Sequence, residues 1–200
     1  MGFYKDLADS VVIQNKGKKK VLIDHKDTLT LIGVGRSAFV FKIKNTNKVI
    51  KVFFPTHRHF AYEEAMVYQV VQNIDYFPTI YEFGWNYIVI NYIEGYTLFD
   101  CLTRGIQVSA KEIKEVESAI LVAQSLGLNP SDIHLRNIII TTEGKIKMID
   151  VARFRQAKLC PQWEDLRTAF YRFYTKPLFP KRLPSFLLNT IAFLYKRCFY

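Results

Sequence analysis

The sequence predicts an α+β fold in two lobes: a five-stranded antiparallel sheet with one helix, followed by a reduced, mostly helical half. Three observations carry this. Short β-branched and aromatic segments broken by Gly and Asn turns fill residues 29–92. A single helical stripe interrupts them, and beyond Ile93-Glu94-Gly95 the apolar spacing turns helical. The division expected is residues 1–93 for the first lobe, with a basic N-terminal segment, and 94–200 for the second.

Taken in order, Leu29 to Val34, Ala38 to Lys44 and Lys48 to Phe54 are strands, separated by Gly33-Val34-Gly35 and by Asn45-Thr46-Asn47. His57 to Asn73 is a helix, with Ala61, Ala65, Tyr68 and Gln72 at helical spacing. Thr79 to Phe83 and Tyr87 to Tyr92 complete five strands. In the second half, Ser109 with Glu112 marks a helix start by reciprocal capping. Ile113, Val116, Ile120 and Ala123 extend its buried stripe, and Gly127 stops it. Ile138-Ile139-Ile140, a Thr-Glu-Gly-Lys turn and Met148-Ile149 form a hairpin. Helices at about Gln162 to Tyr174 and Pro184 to Phe199 finish the chain.

Half of the 200 residues are hydrophobic and 15% aromatic, which excludes bulk disorder. The net charge of +10 favours anionic partners without choosing among them. Cys101, Cys160 and Cys198 lie far apart and outside any Cys-x-x-Cys pattern, against a disulfide framework or zinc site and in keeping with the cytoplasm. Residues 1–6 carry no secretory signal, and Asp6 stands where a myristoylation motif wants Ser or Thr. Lys16 to Lys20 is expected as a solvated turn or tail. Together with Lys181-Arg182 and Lys196-Arg197 it frames aromatic segments suited to weak contact with nucleic acid or an anionic membrane. An ordinary basic surface, with Phe193 and Leu194 in the core, is the plainer expectation.

The chemistry-bearing residues are scattered. Glycines in the stretch from Gly33 and Gly35 to Val40 let backbone N–H groups approach phosphate oxygens. Lys51 sits alone in the apolar strand Val49-Ile50-Lys51-Val52, facing opposite to its neighbours. A lysine held in a cleft needs an anchoring carboxylate, and Glu64 on the next helix is the first choice, Glu63 the second. Asp132 and Asn137 fit one tight loop, and Asp150 closes the following hairpin. Two oxygen ligands, Asn137 and Asp150, beside a third carboxylate suit a hydrated divalent cation and an activated hydroxyl.

In this order the residues match the protein-kinase signature: glycine loop, strand lysine, helix glutamate, Asp with Asn five residues on, and Asp after the next hairpin. The chain resembles the protein-kinase-like fold over about residues 29–174, and most closely the short serine/threonine-protein kinases of Gram-positive bacteria. Its Asp-x-His-x-x-Asn loop is similar to that of aminoglycoside and choline phosphotransferases. The resemblance implies ATP and Mg²⁺ as cofactors and a protein or small-molecule phosphoacceptor. It implies Lys51 on the α/β-phosphates, Glu64 fixing Lys51, Asp132 as catalytic base and Asn137 and Asp150 on the metal. The phosphate loop would supply Gly33, Gly35 and Val40. Asn91 to Ile93 would meet adenine through the backbone, and Asp165 would brace the catalytic loop.

The chain departs from that pattern in three places. Pro130-Ser131 replaces His-Arg, Asp150-Val151-Ala152 replaces Asp-Phe-Gly, and no long activation segment follows. Protein phosphorylation is the leading expectation. Small-molecule phosphotransfer and a non-catalytic ATP-binding scaffold are the alternatives.

Overall fold

A computed structural model describes residues 2–17 and 19–199; Met1, Lys18, Tyr200 and the side chains of Lys196, Cys198 and Phe199 lie outside the described set. The chain divides into two compact units, Met1–Ile93 with Asp150–Arg155, and Glu94–Ile149 with Gln156–Tyr200.

The first unit begins with helix α1 (Phe3–Asp9) and a hairpin of β1 (Val12–Lys16) and β2 (Lys19–Asp24). Then come β3 (Leu29–Val34), β4 (Ala38–Ile43) and β5 (Lys48–Phe53), a 3₁₀ turn at Pro55–His57 and helix α2 (His59–Val70). Strands β6 (Ile80–Phe83) and β7 (Tyr87–Asn91) complete an antiparallel sheet of order β3-β4-β5-β7-β6. Strand alternation gives this sheet two different faces. Phe39, Phe41, Ile43, Ile50, Val52, Tyr87 and Val89 share one buried cluster with Leu7 and Ala8 of α1. Val11, Ile13 and Leu22 of the N-terminal segment pack against it as well. Lys51, between Ile50 and Val52, belongs to the opposite face.

This N-terminal cover adds a helix and a hairpin to the expected five strands and one helix, and the exposed turn of the hairpin falls where a solvated turn or tail was expected. Helix α1 spans only two turns, and β1 and β2 bury too few side chains to show an apolar alternation, so neither rises above a polar leader in sequence. Lys16 and Lys19 are the last paired residues of the hairpin, on either side of its turn. The function of this segment in the fold is to close the apolar face of the sheet.

The second unit opens with β8 (Gly95–Thr97) and helix α3 (Leu98–Arg104), both unforeseen. Thr97 and Asp100 cap α3 reciprocally, the same device that Ser109 and Glu112 supply to α4 (Ala110–Ser125). Gly95 is obligatory: a Cβ there would lie 2.2 Å from the Ile140 carbonyl oxygen. Strands β9 (Ile138–Thr141) and β10 (Ile146–Met148) form the anticipated hairpin, and β8 adds to it in the order β10-β9-β8. Helix α5 (Gln162–Ala169) runs into a π-helical turn at Phe170–Tyr174, and α6 (Ser185–Phe199) is last. Among the described residues no helix is long and apolar enough to cross a membrane.

Candidate active site

Strand β5 lies at the centre of its sheet, and register puts Lys51 opposite Val40 on one side and Ile88 on the other. Val40 in turn pairs with Gly33. Directly opposed residues share a face, so Gly33, Val40, Lys51 and Ile88 form one row across the sheet. A Cβ on Gly33 would lie 3.4 Å from Val40 Cβ, in van der Waals contact with it. Gly35 begins the hairpin turn, its N–H donating to the Ala38 carbonyl at 2.9 Å.

Lys51 is buried and donates to Glu64 Oε2 at 2.7 Å and to Asp150 Oδ1 at 2.8 Å. Glu64 comes from the face of α2 that also buries Ala61, Ala65 and Tyr68, whereas Glu63 is exposed. The choice between the two glutamates therefore falls on Glu64. The two carboxylates differ in access: the Glu64 side chain is 1% exposed and that of Asp150 is 49% exposed. Burial pushes Glu64 up to about 7, against the pull of the Lys51 ammonium. For Lys51 burial acts in the opposite sense, but Asp150 and Glu64 outweigh it and the ammonium is held above its ordinary value.

Two features of this cluster were not visible beforehand. The Tyr68 hydroxyl is buried without a hydrogen-bond partner among the described residues. Burial first, then the Glu64 and Asp150 charges, keeps it protonated, against the smaller opposing pull of the Asp150 backbone N–H nearby. Val151 and Phe154 are buried, and Phe154 meets Phe77 edge-on at 6.2 Å. An aromatic anchor thus exists after Asp150, at Phe154 rather than at the adjacent position, which Val151 occupies. Asp150 itself takes a left-handed backbone, φ 60°, a conformation in which Asp and Asn are enriched.

In the second unit Asp132 is also left-handed, φ 58°. Its carbonyl accepts from Asn137 Nδ2 at 3.2 Å, which turns the amide oxygen of Asn137 away from that bond. The Asn137 N–H donates to the His134 carbonyl, and the Ile149 N–H donates to the Asn137 carbonyl, joining this loop to the end of β10. Ser131 is buried and bonds back to the Asn129 carbonyl. Arg136, unmarked in the sequence, stacks on Phe99 at 3.4 Å and donates to Asn189 of α6.

The remaining expected positions have mixed surroundings. The Asn91 side chain accepts from the Thr79 N–H, and the Tyr92 N–H donates to the Asn47 carbonyl, so both are engaged in the sheet edge; Ile93 is half-buried. Asp165 accepts from Tyr195 of α6 at 2.7 Å. Among the described residues no three His, Cys, Asp or Glu side chains cluster as a metal cage.

No protein-family model matches the sequence. Two curated proteins do. One, named "Putative serine/threonine-protein kinase YrzF", from Bacillus subtilis (strain 168), is 45% identical over 193 residues, covering 96% of this chain and 90% of that protein. The other, named "Probable serine/threonine-protein kinase fnkB", from Dictyostelium discoideum, is 26% identical over 133 residues, covering 56% of this chain and 24% of that protein. Strand lysine, helix glutamate and hairpin-end aspartate meet on an antiparallel sheet, and similarity to YrzF extends over nearly the whole length: the chain belongs to the family of short serine/threonine-protein kinases that YrzF represents.

Proposed function

We propose that this chain binds ATP with Mg²⁺ in the cytoplasm and transfers the terminal phosphoryl group to a Ser or Thr hydroxyl. The observation that carries the proposal is the unequal exposure of the two carboxylates holding Lys51. Glu64 is sealed from solvent against Lys51 and serves as its anchor. Asp150 pairs with Lys51 too but is half-exposed, so a cation arriving from solvent can reach it.

In this reading Lys51 places its ammonium on the α/β-phosphates while Glu64 holds it in place. Gly33, Gly35 and Val40 bound the phosphate end of the nucleotide, and the backbone of Asn91 to Ile93 meets adenine. Asp150 and Asn137 fit a hard cation in their donor atoms, a carboxylate and an amide oxygen; phosphate oxygens and water complete a magnesium shell. The ion supplies charge neutralisation of the phosphates when bound. Asp132 orients the acceptor hydroxyl and takes its proton as the oxygen bonds to the γ-phosphorus and the bridging bond to ADP breaks. His134 contacts phosphate or positions the loop.

The test is γ-phosphate transfer by the wild type beside Asp132→Asn. The variant should keep ATP binding and lose about a hundredfold or more in transfer rate. Equal turnover would remove Asp132 from the role of base.

Small-molecule phosphotransfer is the second reading. It is favoured by the shortness of the stretch between Asp150 and the start of α5 at Gln162, which offers a peptide little to lie on. Labelled ATP presented with peptides and with hydroxylated metabolites separates the two. ATP binding with transfer to neither, nor to the chain itself, would mark a non-catalytic scaffold.

A further inference from the structure

Helix α6 is anchored along one side and bare along the other. Leu188 is 8% exposed, Tyr195 donates to Asp165, and Asn189 accepts from Arg136, all within the second unit. Phe186, Leu187, Ile191, Phe193 and Leu194 recur at the spacing of the outward face. Phe186 is 70% exposed, Phe193 63% and Ile191 54%. The expectation that Phe193 and Leu194 belong to the core is therefore overturned. Thr190, which shares this face, bonds its hydroxyl back to the Phe186 carbonyl at 2.9 Å, so its donor is satisfied within the helix. Leu178, just before the helix, is 98% exposed.

The segment that carries this face has charge of one sign, and the carboxylate that meets α6, Asp165, does so at Tyr195 on the anchored side. From Phe170 to Tyr200 the sequence has six Lys and Arg and no Asp or Glu. Arg172 and Lys176 are exposed ahead of α6 and Arg197 is exposed at its far end. An apolar helical stripe bordered by basic residues is the arrangement that lies in the plane of an anionic bilayer, the apolar side chains below the headgroups and the cations among the lipid phosphates. A long cationic side chain at the helix end reaches the headgroups while its stem stays on apolar surface.

We propose that α6 docks this protein on an anionic membrane surface, parallel to the bilayer. Two other occupants fit less well. A second copy of the chain would bring the same uncompensated positive charge against this face. Single-stranded nucleic acid binds by stacking bases on aromatic rings, whereas three of the five apolar side chains of this face, Leu187, Ile191 and Leu194, are aliphatic.

The experiment uses the full chain with sedimented vesicles of phosphatidylcholine alone or mixed with phosphatidylglycerol. Binding should be stronger on the mixed vesicles by on the order of tenfold and should weaken with added salt. A Phe186→Ser, Phe193→Ser double variant should lose that binding while keeping the wild-type circular dichroism and melting temperature, because both residues are exposed. Ile191→Ser provides an independent second variant. Equal binding to neutral and mixed vesicles, or undiminished binding by the variants, would overturn the proposal. So would a wild-type dimer in lipid-free solution that the same substitutions dissociate, or tight binding to DNA or RNA with none to vesicles.

Discussion

Lys51 Nζ donates to Glu64 Oε2 across 2.7 Å from the central strand to the helix behind it, and both side chains are buried. An ion pair of this kind is far more costly to halve than to replace, since the survivor keeps its desolvation penalty and loses its partner.

Lys51→Met should therefore destabilise the protein by about 3 kcal/mol and abolish productive ATP binding. The double variant Lys51→Met, Glu64→Leu should recover most of the stability and none of the binding. Urea unfolding beside nucleotide titration checks both. A Lys51→Met protein as stable as wild type would mean that Glu64 does not depend on this lysine.

Glu64 also sets a pH signature. Its folded value of about 7 lies above the ordinary 4.5, so the folded state binds this proton more tightly than the unfolded one. The contribution of Glu64 to stability is then greatest below the ordinary value and falls as pH rises through the folded one. Lys51 is raised, and its stabilising share persists until well above neutral pH. Comparing Glu64→Gln with wild type from about pH 5 to about pH 8, the difference in unfolding free energy should move in favour of the variant by about 2 kcal/mol. A difference constant across that range would contradict the assignment.

The buried Tyr68 hydroxyl offers a cheaper substitution. The Asp150 backbone N–H lies near it with no well-formed hydrogen bond between them, so Tyr68→Phe should change stability by no more than about 1 kcal/mol. A loss of more than that in thermal or urea unfolding would reveal a bond that the hydroxyl makes in solution.

Legibility in sequence followed burial contrast. Strands β3 to β7 were plain because short β-branched and aromatic runs are set off by Gly and Asn turns, and Lys51 stood out as a charge flanked on both sides by apolar residues of its strand. The Ser109–Glu112 cap was visible for the same reason that it works, a short fixed spacing between two polar side chains. The Thr97–Asp100 cap obeys the same spacing and was passed over, because β8 and α3 are too short to show an apolar period. The N-terminal cover was hidden by its own lysines: its contribution to the core is Leu7, Ala8 and a few half-buried side chains. In the candidate site, Glu64 could be separated from Glu63 only by the facing of α2. The aromatic anchor Phe154 was missed because it lies outside the usual triplet, and Arg136 because nothing in sequence pairs it with Phe99.

The measurement nearest to the central claim is the magnesium dependence of ATP binding, followed by calorimetric titration of the wild type and of Asp150→Asn. The wild type should bind ATP more tightly with Mg²⁺ than without, through the half-exposed carboxylate beside Lys51. The variant should bind ATP with that enhancement lost. An Asp150→Asn protein whose affinity rises with Mg²⁺ as much as the wild type's would contradict the account.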